Sequence, residues 1–546
     1  MRLAALLLVL LASPAYAATG DLILRDGAIY TLDAKRPWAS VIAIHDGKIA
    51  FVGEYDETAL TPYLKGARIV DLHGAMVLPG FHDSHVHPLA GAIRLLQCDL
   101  TTAKSLDDIG ATIKAFAAAN KGQPWVFCNN LDRSYADGLN RERLDAWMPD
   151  RPVFVRTTEG FLGWMNSTGL KAVGIDPEGT GAQSPDLPRD ADHHPWGVMM
   201  GSVLVQARSK IPAPSATDYR EALRRFGALA NSYGITSVFD AAAAPEMLDT
   251  YHAADLAGAL TLRVTAAQRV DPDKGLDQVD AMVERRAQLR GKRFHADAAK
   301  IFLDGEIDQY TAARLPHGGI NQPQLDEMVQ ELDAEGFLIH MHAMGDGAVR
   351  AGLDAFEHAA LRHGPADRRD QIAHVGVADP QDIPRFAKLG VIADFTPLWF
   401  QQGDAAFQST IRVLGDRARW MYPMGSVVAT GAHVTIGSDW PQETFKPLDE
   451  IQYAVTRQPL DGSPPSTQPE QRITLEQALA AYTREGAYAV REEKLDGTLE
   501  VGKAADIVVL DQNLFKIDVM SIHKTRVLLT LLDGAPVYCD SKFELP

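Results

Sequence analysis

The sequence predicts an α/β protein: a (β/α)8 TIM barrel with an insertion, joined to a small β-sandwich formed by both termini. Three observations predict this fold. The middle of the chain alternates short apolar segments with amphipathic ones, as parallel strands and crossover helices do. Both ends instead alternate strand-like runs with tight turns such as Asp46-Gly47 and Asp533-Gly534. Polar side chains follow several of the middle strands, at the end where a barrel carries its functional groups.

The first residues have the features of a cleavable export signal. Arg2 precedes an apolar run from Leu3 to Leu11, and residues 15–17 read Ala-Tyr-Ala. The run is too short to remain as a membrane anchor, and no cysteine stands at the cleavage point to accept a lipid. We therefore exclude residues 1–17 from the fold and expect a periplasmic or secreted protein without a stable membrane anchor.

The composition restricts the expected partners. Of the 546 residues, 23% are charged and the formal net charge is −18, with no block of Lys or Arg. That balance argues against nucleic acids and anionic membranes, so we expect a small-molecule substrate and leave homo-oligomer formation open. The three cysteines, Cys98, Cys128 and Cys539, are too few for a disulfide framework, and one oxidised pair is the alternative to buried thiols.

The turn-rich ends and the alternating middle divide the chain into domains. Residues 18–78 and 496–546 form the two parts of the β-sandwich, because neither part has enough strands to close a core alone. Residues 79–495 form the barrel, with an insertion at about 131–215 that is rich in Pro, Gly, Asp and Trp. A single helix is predicted over Leu475–Glu492. The strands predicted in the middle are Trp125–Cys128, Val153–Arg156, Ile235–Asp240, Leu262–Ala267, Ala298–Leu303, Leu338–His342, Ile372–Val375, Val391–Asp394 and Val434–Gly437.

A histidine pair follows the first strand of the barrel. The run from Val77 to Pro88 reads VLPGFHDSHVHP, an apolar strand followed by His85 and His87. Side chains at that spacing leave a strand on the same side, which suits a shared metal ion. By itself the pair is weak evidence, since two histidines on one strand face are more often solvated or hydrogen-bonded. His82 has the opposite parity and is not expected to be a ligand.

Four more polar side chains stand at or near the ends of predicted strands: Lys300, His342, His374 and Asp439. A barrel brings all of them to the same mouth as the histidine pair. Each has an ordinary alternative, namely a snorkelling lysine, a satisfied buried histidine, or an aspartate in a turn or helix cap. Agreement among the whole set favours a metal site. His340 shares a strand face with His342 but lies farther from the strand end, so a supporting role is expected.

Ten sequence blocks carry a family resemblance. They are DGAIYTLD, DGKIAFVG, PGFHDSHVHP, GITSVFDA, KIFLDG, HAMGD, AHVG, GSDWP, TLEQALAAYTREGAYAV and GTLEVGKAADIVVLD. In this order they resemble the amidohydrolase superfamily, and within it the amidohydrolase-3 branch of YtcJ-like metal-dependent hydrolases, which includes N-substituted formamide deformylases. The resemblance covers nearly the whole chain after the export signal. It implies a metal-bearing (β/α)8 barrel joined to a β-sandwich built from both termini.

The resemblance also implies a set of ligands for two divalent ions, zinc first, with Mn, Fe, Co or Ni as alternatives. The ligands are His85, His87, Lys300, His342, His374 and Asp439. The histidine pair would hold the first ion, His342 and His374 the second, and a carbamylated Lys300 would bridge both. Asp439 would contact the first ion and act as the catalytic proton shuttle. A carbamate replaces a repelling ammonium with an anionic ligand, and paired ions make hydroxide available near neutral pH.

The expected activity is hydrolysis of a C–N bond other than a peptide bond, in an amide, N-substituted formamide, N-acyl amino acid or cyclic amide. A lactonase, esterase or deaminase using the same site, and a non-catalytic ligand-binding barrel, are the alternatives. Where the family often has a glycine–histidine pair this chain has Gly160-Phe161, so the substrate does not transfer with the resemblance. The candidate substrate contacts are Tyr310, Arg314, His317, Trp164, Trp399 and Trp440. The alternative is that the tryptophans belong to the core and that the other three residues lie in a surface loop.

Overall fold

The fold is described from a computed structural model. It describes residues 21–157, 160–305, 320–400, 405–463 and 468–545, so the expected export signal lies outside the described part. The chain divides into two compact units. One consists of the residues up to His87 and from Gly227 onward, and the other is Pro88–Phe226. Within the described ranges, no helix combines the length and the apolar character needed to cross a membrane.

Strands from both ends of the chain form one sheet in the first unit. The N-terminal strands are β1 (Leu22–Tyr30), β2 (Trp38–His45), β3 (Lys48–Gly53), β4 (Arg68–Asp71) and β5 (Met76–Pro79), and the C-terminal strands are β19 (Ile507–Leu510), β20 (Val527–Leu532) and β21 (Ala535–Cys539). The order is β21-β20-β19-β5-β1-β2-β3. The two ends meet where β19 runs antiparallel to β5, with Val509 opposite Val77. The expected pairing of the termini is confirmed.

This sheet has two apolar faces and branches at an irregularity in β1. The register of β1 with β2 shifts between Arg25 and Ile29, so the first half of β1 also pairs with β4 and the second half with β5. One face packs a core that includes Leu24, Ile42 and Val509. The other face packs against α1 (Glu57–Leu64) through a smaller cluster. The ends of the chain are therefore anchored by burial on both sides of the sheet.

Eight parallel strands of the first unit form the barrel. They are β6 (Phe81–Val86), β12 (Ile235–Ala243), β13 (Arg263–Arg269), β14 (Phe294–Phe302), β15 (Leu338–Ala343), β16 (Gln371–His374), β17 (Ile392–Phe395) and β18 (Val434–Ile436). Each pairs with the next along the chain, and β6 pairs with β12. The TIM-barrel prediction is confirmed, and seven of its strands fall on predicted segments. The first does not, because the apolar run at Val77 lies in β5 of the terminal sheet, and β6 begins at Phe81 and contains His85.

The barrel closes between β6 and β18 through backbone hydrogen bonds of residues at, or just beyond, the ends of these two strands. The Asp439 amide donates to the His85 carbonyl at 2.7 Å, and the His87 amide donates to the Trp440 carbonyl at 2.9 Å. Gly437 permits this approach, because a Cβ at that position would lie 2.4 Å from the His85 Cβ. The closure therefore places the histidine pair beside Asp439.

Helices flank the barrel strands of the first unit. They are α8 (Pro245–Leu256), α9 (Val279–Gln288), α10 (Gln322–Ala334), α11 (Asp346–His363), α12 (Ile383–Leu389), α13 (Ala405–Leu414), α14 (Met424–Ala429), α15 (Pro447–Thr456), α16 (Leu475–Ala481) and α17 (Arg484–Ala489). The single helix predicted over Leu475–Glu492 is wrong. It is interrupted at Thr483, whose φ of −135° and ψ of −92° are not helical.

The second unit has its own five-stranded sheet and core. Its strands are β7 (Cys98–Asp99), β8 (Val126–Leu131), β9 (Val153–Thr157), β10 (Gly163–Met165) and β11 (Val198–Met199). Its helices are α2 (Pro88–Ala92), α3 (Leu106–Ala119), α4 (Arg141–Trp147), α5 (Ser167–Ala172) and α6 (Gly201–Ser209), and α7 (Ala216–Ser232) leads on to β12. The strand predicted at Trp125–Cys128 thus lies in this sheet. Cys98, Cys128 and Cys539 are free thiols in the structure.

Candidate active site

Strand ends of the barrel bring the predicted ligands together. The His87 Nε2 lies 3.1 Å from Asp439 Oδ1, and the His85 Nε2 lies 3.5 Å from the same oxygen. The His85 and His374 rings are 4.6 Å apart, and the His374 and His342 rings are also 4.6 Å apart. A continuous line of imidazoles therefore runs from Asp439 across the mouth of the barrel.

The strand register explains why residues so distant in sequence meet. His342 lies opposite Phe302 of β14, and Ala343 lies opposite His374 of β16, so β15 carries its histidine between these neighbours. His374 ends β16 with a φ of 74°, an uncommon backbone conformation for a residue with a side chain. Such conformations recur at functional sites, where the surrounding structure has to enforce them.

Lys300 joins this group from the interior of β14. Its side chain is fully buried, and its Nζ has no hydrogen-bond partner among the residues described. Burial lowers its pKa to about 7, although Asp439 and Asp394 act in the opposite direction. A buried amine of this kind is far less costly as a neutral group than as an ammonium ion.

The histidines are also held in their neutral form. Burial lowers the pKa of His342 to about 3, and burial places the pKa values of His85, His340 and His374 well below the ordinary range, with Lys300 acting in the same direction. Neutral imidazole is the form that binds metal.

Unsatisfied polar atoms provide a test of whether a metal ion fits. His342 Nε2 and His374 Nδ1 are buried without a hydrogen-bond partner in the described residues, like Lys300 Nζ. Leaving such atoms unpaired is costly, so native proteins rarely do it without a reason. Nitrogen donors of this kind around Asp439 suit zinc and related divalent ions. The residues present therefore fit the metal site expected from the sequence.

Two residues at the site have roles that the sequence prediction missed. Asp394 ends the apolar part of β17, is completely buried, and has its Oδ2 3.5 Å from His85 Nδ1. Burial raises its pKa to about 8. For His340 the sequence predicts a supporting or structural role, and what it missed is the direct contact of His340 Nε2 with His85 Nδ1, at 2.9 Å. Ligand atoms of His85, His340 and Asp394 cluster tightly enough to hold an ion, as do those of His85, His374 and Asp439.

Asp83 organises the junction between β6 and the end of β18. Its carboxylate accepts the Ser438 amide at 3.0 Å and the Ser438 hydroxyl at 2.6 Å. It also accepts the His85 amide at 3.3 Å. The acidic residues in HDSHVH and VIADF, both inside apolar strands, are the sequence signal that could have identified Asp83 and Asp394.

The predicted substrate contacts have different locations. Trp399 is half-buried and stacks on His374 with a centroid distance of 4.8 Å. Trp440 lies after β18, and its ring is 4.9 Å from that of Phe445. Trp164 is fully buried in the apolar core of the second unit, so the structure gives it a packing role. Tyr310, Arg314 and His317 lie outside the described residues.

Known proteins are similar to this chain in sequence and fold over most of its length. N-substituted formamide deformylase of Arthrobacter pascens is 27% identical over 548 residues, covering 95% of this chain and 98% of that protein. Putative amidohydrolase YtcJ of Bacillus subtilis is 26% identical, covering 94% and 98%. A crystal structure of an uncharacterized metal-dependent hydrolase from Pyrococcus furiosus matches with a TM-score of 0.73 at 25% identity, covering 91% of this chain and all of that one. The model of the Amidohydrolase family matches residues 68–538, which include the whole barrel, and the chain therefore belongs to this family.

Proposed function

We propose that the protein is a metal-dependent hydrolase that cleaves a C–N bond of an amide, N-substituted formamide, N-acyl amino acid or cyclic amide. The observation that carries this proposal is the line of buried imidazoles that runs from His342 through His374 to His85 and ends at Asp439. A C–N bond is favoured over an ester bond because similar proteins include an N-substituted formamide deformylase and a putative amidohydrolase.

The proposed ligands divide into two groups. His85 and His87 would hold one divalent ion, and His342 and His374 would hold a second. Bound ions of this kind supply Lewis acid activation of the substrate carbonyl and of water. Lys300 lies among both groups, since its charge affects the pKa values of His85, His342 and His374.

Lys300 is proposed to bridge the two groups as a carbamate. Its neutral amine would attack the carbon of carbon dioxide, so that a C–N bond forms while one C=O π bond opens and its electron pair moves to oxygen. Loss of one N–H proton to solvent then leaves an anionic carbamate with two oxygens. The lowered pKa of about 7 supports this step, because only the neutral amine has the electron pair that attacks. An unmodified ammonium at this fully buried position would repel a cation.

Asp439 is proposed to move the proton of the reaction. Its Oδ1 stands within 3.5 Å of both His85 and His87, so it faces the space where water and the reacting carbonyl would meet. The carboxylate accepts the proton of the attacking water and then donates it to the departing nitrogen. The amine leaves as a neutral product, and Asp439 returns to its ionised form.

A substrate panel with matched chelator treatment tests the proposal. At least one substrate class among N-formyl compounds, anilides, N-acyl amino acids and cyclic amides should be hydrolysed, with loss of activity in chelator and recovery with Zn²⁺ or Mn²⁺. Hydrolysis restricted to lactones or esters, or deamination, would reassign the site to another reaction. Purified protein with no bound divalent ion and no activity on any substrate would instead indicate a ligand-binding barrel.

The lysine modification has its own test. Metal loading of the metal-free protein should be stimulated by bicarbonate, and Lys300→Ala should abolish both this stimulation and turnover. Lys292→Ala is the control, because that lysine is largely exposed. Wild-type rates in Lys300→Ala would remove the carbamate from the mechanism.

We also propose that residues 1–17 direct export and are removed. Arg2 followed by an apolar run and the small residues 15–17 support this proposal. N-terminal sequencing of the protein from the periplasm or medium should begin after Ala17. An intact N-terminus on cytoplasmic protein would contradict it.

A further inference from the structure

Two fully buried polar side chains form a chain of contacts that leads to His85: Gln371 and His340. The register of the barrel pairs them, because Gln371 of β16 lies opposite His340 of β15. The His340 ring also packs against Phe239, with centroids 4.8 Å apart. The two polar groups are therefore fixed by neighbouring strands and by packing.

The orientation of the Gln371 amide follows from its two contacts. Its Nε2 donates to the Ala489 carbonyl at 3.2 Å, and its Oε1 lies 2.9 Å from His340 Nδ1. The reverse orientation would set two carbonyl oxygens against each other. Because Oε1 can only accept, His340 Nδ1 carries the hydrogen.

The position of the hydrogen on His340 determines the position of the hydrogen on His85. A neutral imidazole carries one hydrogen, so His340 Nε2 is left as an acceptor. It lies 2.9 Å from His85 Nδ1, which must then donate. His85 Nε2 is left with its lone pair, on the side of Asp439 Oδ1 at 3.5 Å. The Asp394 Oδ2 is the other acceptor near His85 Nδ1, but its distance of 3.5 Å is the longer one.

We propose that Gln371 and His340 are positioning residues that hold His85 in the tautomer with hydrogen on Nδ1, so that Nε2 is presented to a divalent cation. The proposal rests on the metal-dependent function proposed above. In this arrangement His85 Nδ1 donates to His340 Nε2, and His340 Nδ1 donates to Gln371 Oε1. Gln371 Nε2 in turn donates to the Ala489 carbonyl. Partners behind a metal-binding histidine typically change metal affinity by about 10–100-fold when removed.

Competition between the metal-free protein and a chromophoric chelator for Zn²⁺ alone tests the proposal. Gln371→Leu removes the acceptor at nearly constant volume, and its Zn²⁺ affinity should fall by about tenfold or more. Gln371→Glu keeps an acceptor at the same place, and the neutral acid that burial favours can still donate to the Ala489 carbonyl, so its affinity should stay close to that of the wild type. Gln268→Leu is the matched control, since Gln268 is another buried barrel glutamine whose amide donates to the carbonyls of Met282 and Ala296. Its affinity should not change.

The outcomes separate this proposal from the function on which it rests. If the wild type binds neither Zn²⁺ nor any of the alternative ions Mn²⁺, Fe²⁺, Co²⁺ and Ni²⁺, the proposed function fails. If the wild type binds Zn²⁺ and Gln371→Leu binds it equally well, the positioning role is overturned, as it is if Gln371→Glu loses as much affinity as Gln371→Leu.

Neutron diffraction from wild-type crystals in deuterated buffer keeps the proposal testable if a variant does not fold. Deuterium should be found on Nδ1 of both His340 and His85. Deuterium on His340 Nε2 would overturn the proposal whatever the protein binds or hydrolyses.

Discussion

Asp439 stands where the histidine pair meets the closure of the barrel. Its Oδ1 is the carboxylate oxygen that approaches both His85 and His87, and its backbone amide also closes the barrel. Its backbone has a φ of 50°, which a residue with a side chain adopts only where its surroundings enforce it. The same residue therefore helps to close the barrel through its backbone and supplies a carboxylate to the candidate site.

Asp439→Asn should lower kcat by about two to four orders of magnitude, because an amide of the same shape cannot accept the proton. Steady-state hydrolysis with metal content measured in the same sample checks this. Asp370→Asn is the control, since Asp370 is a buried carboxyl whose side chain accepts the Ile339 amide. A rate near that of the wild type in metal-loaded Asp439→Asn would exclude the proton-transfer role.

Asp370 also gives a prediction about pH. Burial, helped by the charge of Asp333, raises its pKa from 3.8 to about 7. Between these values the folded protein keeps a proton that the unfolded chain has released, so this residue's contribution to stability is lost as pH rises. Chemical unfolding should be measured at several pH values. From pH 4 to 7, the free energy of unfolding of Asp370→Asn should rise relative to that of the wild type by up to about 1.4 kcal/mol per pH unit. A constant difference across this window would contradict the raised pKa.

Strand ends were the sequence signal for the candidate site. The predicted ligands, which lie at or near the ends of predicted strands, are His85, His87, Lys300, His342, His374 and Asp439. The direct contact between His340 and His85 could not be predicted, because strand periodicity gives the face of a residue but not the tilt that brings two rings together.

At the scale of elements, the closure between β6 and β18 decides whether the site exists. A Cβ on Gly437 would lie 2.4 Å from both the Cβ and the amide nitrogen of His85. The neighbouring Phe395 carbonyl accepts the Gly437 amide at 2.9 Å, so β18 cannot easily move aside. The glycine is required by the close approach of two backbones.

Gly437→Ala should therefore lower both stability and activity. Forcing a methyl group into a packed core costs about 1–3 kcal/mol, and separating β6 from β18 moves Asp439 away from the histidine pair. Unfolding in denaturant and Zn²⁺ binding measure the two effects. Gly122→Ala is the control, because a Cβ there meets no atom within 4 Å. Equal unfolding free energies and equal Zn²⁺ affinities of the two variants would show that the contact between β6 and β18 tolerates displacement.

The pattern of elements was largely predictable, and its failures have physical causes. The helix predicted over Leu475–Glu492 has unbroken helical periodicity, yet it ends near Tyr482, whose carbonyl accepts the His82 amide at 2.7 Å. The Thr483 hydroxyl satisfies the Leu479 carbonyl at 2.7 Å in place of a continuing helix. Apolar strands in the second unit resemble barrel strands because burial on both faces gives the same pattern.

At the scale of the molecule, charged groups join the barrel to the terminal sheet within the first unit. Arg263 at the start of β13 donates to Asp506 at 2.7 Å and to Asp533 at 2.5 Å, and all but 4% of its side chain is buried. Asp506 precedes β19, and Asp533 lies between β20 and β21. The same arginine therefore holds two separate parts of the C-terminal sheet.

Arg263→Met should reduce the free energy of unfolding by about 3–5 kcal/mol, because it leaves buried carboxylates without their cation. Calorimetry or denaturant unfolding checks this. Arg224→Met provides the comparison, since Arg224 pairs with Glu221 on the surface and should change stability by less than about 1 kcal/mol. Similar losses of unfolding free energy in both variants would show that the buried cluster stabilises the fold no more than a surface ion pair does.

The central claim is that side chains on separate strands together form one site that holds divalent metal ions. Anomalous diffraction from crystals grown with Zn²⁺ tests it most directly. We predict peaks among His85, His87, Lys300, His342, His374 and Asp439, with additional density on the Lys300 amine. Crystals of active protein that show no anomalous peak at these residues would contradict the account.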